Sequence, residues 1–283
     1  MIAILGGFGA ALVFATATLC SSRSSRMIGA SSVLAWVMIV DSLVTVPAVI
    51  VEGRPAGLDR GSLGWLALAG AGNVLGLLLA YSGLRIGKVG LVAPIVSTEG
   101  AIAALFSVAA GENLAPGAGA TLGVIAVGIV LAAVTRQGAD DLARRDDRRA
   151  VLYAVGAAFA FGASLYATAR VSADLPVVWA LLPARIVGVV AIALPLALSA
   201  RLRLTRRALP LVVVSGLCEI AGFGLFALAS RHGVAVSAVL ASQFAAIAAI
   251  IAYFLFHERL ERIQIAGVAA IIMGVAALTV LQA

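Results

Sequence analysis

The chain has 283 residues, 63% hydrophobic and 12% charged, with a mean hydropathy of +1.12. That excludes an ordinary water-soluble domain, where apolar residues make up about half the chain. The formal net charge of +7 does not point to nucleic acid, because the cations lie in short segments between apolar runs, where they orient membrane spans.

A spanning helix needs about 20 predominantly apolar residues. Ten such runs, at 2–20, 29–51, 63–84, 89–110, 117–134, 150–170, 177–199, 208–230, 234–256 and 264–281, predict an all-α, ten-helix polytopic membrane protein. The first is not a cleaved secretory signal, since Arg23 and Arg26 follow the apolar run instead of preceding it. The second carries Asp41, and the third carries Asn73 with Gly72 and Gly76. Small residues four apart let helices approach closely, and Gly119/Gly123 in the fifth run has the same spacing. The fourth run holds Pro94, Ser97, Thr98 and Glu99. Pro94 removes a backbone hydrogen bond, which is tolerated at depth only beside protein or water. TRQGADDLARRDDRR (135–149) is polar and mixed in charge, and reads as a solvated linker. Arg185 follows Pro183 in the seventh run, Glu219 lies mid-way along the eighth, and Ser242 and Gln243 fall in the ninth. Trp36, Trp65 and Trp179 sit near segment ends, as an interfacial belt does. Cys20 and Cys218 lie at or inside spans with no partner pattern, so no disulfide, metal site or cofactor is expected.

The sequence repeats itself. GAALVFATA (9–17) returns as GAAFAFGAS (156–164), an offset of 147. Asn73, Gly76, Gly87, Glu112, Leu114 and Gly128 return as Glu219, Gly222, Gly233, Glu258, Leu260 and Gly274 at an offset of 146. Five spans per copy is an odd number, so the second copy enters the membrane from the opposite side. Two inverted halves are expected, 1–134 and 150–283, joined by the 135–149 linker. A monomer then suffices in principle, because the pseudo-dimer is built in.

Loops reached after odd-numbered spans carry fifteen Lys/Arg (Arg23 and Arg26, Arg85 and Lys88, five in the linker, Arg201–Arg207, Arg259 and Arg262), against four on the other side (Arg54, Arg60, Arg170, Arg231). That bias places the linker in the cytoplasm and both termini outside the cell (inner) membrane.

A charge at the bilayer centre costs roughly 2.5–3.5 kcal/mol on insertion scales. Asp41, Glu99, Arg185 and Glu219 therefore must face a wet cavity, pair with one another, or be protonated. Glu219 occupies the repeat position of Asn73, which makes an asymmetric site able to hold a polar substrate and exchange a proton. Glu99, Ser97 and Thr98 face, across the repeat, a segment with Ser242 and Gln243, where Gln243 matches Ser97. The structural alternative is that these groups bridge helices by hydrogen bonds worth about 0.6–2 kcal/mol. Arg185 either pairs permanently with Glu99, Glu219 or Asp41, or stays partly free and attracts a substrate carboxylate. Tyr81 and Tyr166 are candidate cavity aromatics, while Glu112, His257 and Glu258 at loop edges read as caps or surface ion pairs.

LVAPIVSTEGAIAALFSVAAGENL and VSAVLASQFAAIAAIIAYFLFHERL, each followed by a Gly-containing final helix, resemble the drug/metabolite transporter superfamily, specifically its ten-helix EamA type. The resemblance includes the Glu-x-Leu steps Glu112/Leu114 and Glu258/Leu260 and covers essentially the whole chain. It implies a basket-like bundle around a central cavity lined by helices 1–4 and 6–9, with helices 5 and 10 peripheral. It also implies export or exchange of small metabolites, amino acids or drugs. Members often carry an Arg early in the second helix of each unit. Arg185 fits in unit two, but the unit-one position aligned through Pro47 and Pro195 is Val37, so a symmetric role is not implied. Eukaryotic relatives are drawn with both termini cytosolic, against the charge count of this chain.

The expected function is therefore secondary transport by alternating access, with proton antiport, uniport and exchange all open. No Gly-x-x-x-x-Gly-Lys-Ser/Thr loop occurs, so this chain has no ATP motif of its own. Lipid or amphiphile translocation through a lateral opening is the alternative within the same fold. An intramembrane enzyme is disfavoured by the lack of His-Glu-x-x-His, of Gly-x-Ser-x-Gly and of any His within a span. A purely structural protein would have every buried charge paired and no cavity.

Overall fold

The computed structural model describes residues 2–55, 58–111, 117–133, 141–171, 175–230, 240–241 and 243–282. Among the described residues there are twelve α-helical pieces. α1 (Ile2–Ile28), α2 (Ala30–Glu52) and α3 (Arg60–Ile86) are followed by α4 (Val89–Val96), α5 (Glu99–Ala109) and α6 (Ala118–Ala133). The second half contains α7 (Asp141–Val171), α8 (Val177–Gly188), α9 (Leu194–Leu198), α10 (Leu209–Ser230), α11 (Phe244–Leu255) and α12 (Arg262–Gln282). Among the described residues, eight stretches are long and apolar enough to cross a membrane, and Gly119–Ala132 and Phe244–Leu255 are shorter apolar helices. Leu43, Val51, Leu198 and Phe254 are among the large apolar side chains left exposed on the outside, where lipid would cover them.

Local chemistry explains the joints. Gly29 adopts φ +89, a left-handed conformation that lets α2 follow α1 after a single residue. Asp59 and Ser62 open α3 with a reciprocal capping box, the Asp59 carboxylate accepting from Ser62 N at 2.7 Å and Ser62 Oγ accepting from Asp59 N at 2.9 Å.

Two runs that read as continuous helices are interrupted. The fourth breaks at Ser97–Thr98, between α4 and α5. Pro94 cannot donate to its preceding turn, and the Ser97 and Thr98 hydroxyls then donate to Pro94 O (2.8 Å) and Ile95 O (2.7 Å). The seventh contains a π-turn over Val189–Ala193, where Leu194 N–H reaches back five residues to Val189 O just before Pro195. Within the 135–149 segment α7 already begins at Asp141, so its second part is helical.

The packing obeys the repeat. α1 packs on α10 as α3 packs on α7; α1 on α11 as α5 on α7; α2 on α10 as α3 on α8. The remaining major contacts, α2 with α8, α4 with α11 and α6 with α12, join each helix to its own counterpart, as a two-fold axis requires. Glycines repeat the relation in detail. A methyl on Gly76 would lie 2.5 Å from the Phe161 ring, and one on Gly222 would lie 2.5 Å from the ring of Phe14. Gly128 abuts Ile271 and Gly274 abuts Ile125 in the same way between α6 and α12. Gly72 and Gly76 are thus close-approach positions against α7. Gly119 and Gly123 are not, since nothing lies within 4 Å of a methyl placed on either.

Candidate substrate site

A cavity of about 420 Å³ lies between the halves, within the size range of small-molecule sites. Its walls come from α1, α3, α4, α5, α7, α10, α11 and α12. Among the described residues, α2 and α8 contribute nothing, while α12 supplies Val275, Leu278 and Thr279. The expected roles of the second, seventh and tenth spans are corrected here. α12 packs against α4 and α5 and so reaches the cavity, whereas α2 and α8 pack on each other outside it.

Asn73 and Glu219, equivalent by repeat, both line this cavity, as do Ser97 and Glu99. Glu219 is only 7% exposed, yet neither its carboxylate nor that of Glu99 makes a hydrogen bond or close ion pair with a described residue. The Asn73 Oδ1 atom is likewise buried without a partner. Glu99 occupies the first turn of α5, where free backbone N–H groups and the helix dipole favour a negative charge. The broken helix therefore turns one half-helix N-terminus toward the cavity, and α11 begins at Phe244 in the equivalent place on the opposite wall.

Other predicted site residues fall elsewhere. The Ser97 hydroxyl is turned back to its own helix, and Thr98 is fully buried, bonded to Ile95 O, and does not line the cavity. Gln243 sits at the N-cap of α11 beside the cavity wall, and Ser242 lies outside the described residues. Asp41 and Arg185 are almost wholly buried, with Oδ2 and Nη2 3.0 Å apart between α2 and α8, and neither reaches the cavity. Their compensation is incomplete: Asp41 Oδ1 and Arg185 Nε have no hydrogen-bond partner, and Arg185 Nη1 makes a long 3.4 Å bond to Leu181 O. Glu219 lies within the electrostatic reach of this pair and of Tyr81.

The sequence reading missed most of the aromatic wall. Phe14 meets Phe223 edge-to-face at 5.4 Å between ring centroids and Phe244 at 6.2 Å; Phe161 and Phe226 complete the set. Phe14 and Phe161 are repeat equivalents inside the first matched motif, which was the available signal. Tyr81 lines the cavity, whereas Tyr166 lies outside it, accepting from Arg170 Nη2 at 2.6 Å. At the other end of α4, Glu258 accepts from the N–H groups of Val89 (3.0 Å) and Gly90 (3.1 Å), so this loop-edge acid caps a helix of the opposite half. Glu112 lies outside the described residues.

Residues 1–134 and 148–280 both match the EamA-like transporter family, one match on each half of the cavity. The chain belongs to the EamA-like transporter family. This EamA protein is accordingly a multi-pass membrane protein of a family that moves small molecules across the bilayer. A solved crystal structure, 19% identical and covering 99% of this chain and 98% of its own, has the same fold with a TM-score of 0.62. No curated protein matches the EamA chain.

Proposed function

We propose that the protein is a secondary transporter, an exporter or exchanger of a small solute. It binds its cargo in the cavity between the halves 1–134 and 150–283 and exposes it alternately to each side. The observation that carries this reading is the pair of carboxylates, Glu99 and Glu219, without a hydrogen-bond partner among the described residues, in a cavity bounded by two inverted repeats. Rocking of one half on the other exchanges the contacts α1/α10 and α3/α7, which are equivalent by repeat. The linker lies in the cytoplasm and both termini outside, as the Lys/Arg distribution favours.

Proton coupling belongs to the same proposal. Glu219 and Glu99 line the cavity, and the charged or titratable groups around Glu219 are Asp41 on α2, Arg185 on α8 and Tyr81 on α3. A carboxylate that holds a proton in one orientation and cargo in the other couples the two fluxes without nucleotide.

The test uses vesicles of known orientation. Cys20 and Cys218 are replaced by Ser, Leu77→Cys reports on the cavity, and a water-soluble thiol reagent is added from each side. Labelling from both sides, in a ratio that an imposed pH gradient shifts, is the expected result. In the double variant Glu99→Gln/Glu219→Gln the gradient should no longer shift that ratio. Labelling from one side only, under every condition, would remove alternating access as the mechanism.

A further inference from the structure

The cavity also carries information on the sign of its cargo's charge. None of its described lining residues is Lys, Arg or His, whereas two are Glu. Among the described residues, the cation that acts on Glu219, Arg185, is already matched by Asp41 at 3.0 Å and is withdrawn from the cavity between α2 and α8. Counting formal charges on Asp41, Arg185, Glu99 and Glu219 leaves an excess of two negatives when all are ionised. A substrate carboxylate would find no guanidinium or ammonium to receive it and would face both acids.

The rest of the wall complements a positive group with an apolar body. Phe14, Phe223 and Phe244 form an edge-to-face cluster on α1, α10 and α11. Phe161 stands on the opposite, repeat-related wall. Ring faces attract cations, by about 0.5–2 kcal/mol where water is excluded. Glu219, more than nine-tenths buried and without a hydrogen-bond partner among the described residues, supplies the counter-charge, and the unpartnered Asn73 Oδ1 adds an acceptor at the repeat-equivalent point.

We propose that the cargo is an amphipathic organic cation, an ammonium-type group borne on an aromatic or alkyl body, held between Glu219, Glu99 and the phenylalanine cluster. The assignment rests on the transport reading of the same cavity and narrows it to one class of solute.

The experiment compares three probes with one body and different heads: phenylbutyltrimethylammonium, phenylpentanoate and phenylpentanol. Binding to the purified protein in lipid nanodiscs is measured by calorimetry. The ammonium should bind at least about tenfold more tightly than the other two, the scale of one desolvated cation–π or charge contact. Glu219→Gln and Glu99→Gln should each weaken the ammonium by about that factor while changing the alcohol less than about twofold. Asn73→Asp, which adds a third acid, should tighten the ammonium and guards against loss of folding in the Gln variants. Equal or tighter binding of the pentanoate or the alcohol, binding of none of the three, or an ammonium affinity indifferent to all three substitutions would overturn the assignment. Such a failure, with labelling still alternating between the two sides, leaves the transporter reading standing and removes only the cation. One-sided labelling removes the transporter reading whatever the probes do.

Discussion

Arg185 and Asp41 meet at 3.0 Å between α2 and α8, at a crossing where each helix packs on its own repeat equivalent. Aligned through Pro47 and Pro195, the residues that correspond to them are Val37 and Val189. One crossing therefore joins two copies of the same helix through an ion pair whose repeat images are two valines.

Removing one member of that pair strands a buried charge, whereas removing both restores an apolar crossing. Asp41→Val and Arg185→Val should each cost about 3–5 kcal/mol of stability. The double variant should be more stable than either single one. Unfolding of the four proteins in one detergent checks this as a double-mutant cycle, and additive losses would show that the pair does not act as a unit.

The close glycines should respond according to what they touch. Gly76→Ala and Gly222→Ala force the rings of Phe161 and Phe14 to move, and both rings line the cavity. Each should cost roughly 1–3 kcal/mol by overpacking and weaken ligand binding. Gly64→Ala, with open space around the new methyl, should leave both unchanged. Denaturation and calorimetry on the three variants separate the cases.

Glu258 holds the start of α4 from the far half of the chain. It caps two N–H groups and lies 3.7 Å from Arg26, which itself donates to Gly87 O at 2.6 Å. Glu258→Ala should destabilise by about 1.5–3 kcal/mol, the range for hydrogen bonds to a charged group. Amide exchange should accelerate at Val89 and Gly90, with Glu258→Gln intermediate. Unchanged protection at those two amides would show that the cap is not needed.

The capping box on α3 gives a pH dependence outside the membrane. The Ser62 backbone N–H, followed by its hydroxyl, holds the Asp59 carboxyl below the usual carboxylate range. A lowered folded value means that the cap is fully present above the ordinary carboxylate pKa of about 3.9 and is lost as pH falls through the lower, folded value. Exchange protection at Ser62 should fall on acidification in the natural protein. In Asp59→Ser, whose hydroxyl caps without titrating, it should not.

The fold was legible because bilayer thickness imposes a run length that composition cannot hide, and because two copies of a motif keep their spacing. Breaks in those runs were not legible. Pro94, Ser97 and Thr98 sit in a run long enough to span as one helix, and only the carbonyls of Pro94 and Ile95 reveal why the two hydroxyls turn inward. Glu99, Asn73 and Glu219 stood out as polar groups at depth, and all three line the cavity. The partner of Arg185 was undecidable between three acids, since it depends on how α2 meets α8. The phenylalanines were invisible for a different reason: Phe159 is half exposed on the outer surface while Phe161, two residues on, lines the cavity. Hydropathy does not distinguish those two faces.

The two helix crossings nearest the cavity also differ in one atom of chemistry. Ser164 on α7 donates to Ala69 O on α3 at 2.7 Å. At the image crossing the serine has changed sides: Ser215 on α10 reaches Ala17 O on α1 at only 3.3 Å and shares a 2.6 Å contact with Ser21. In a perfectly duplicated carrier the inward- and outward-open forms would be related by the two-fold axis and equal in energy, and the empty protein would divide its time evenly between them. Unequal latches at the two crossings remove that degeneracy. On the alternating-access reading proposed above, the unloaded protein would then favour one side, set by where each half placed its serine.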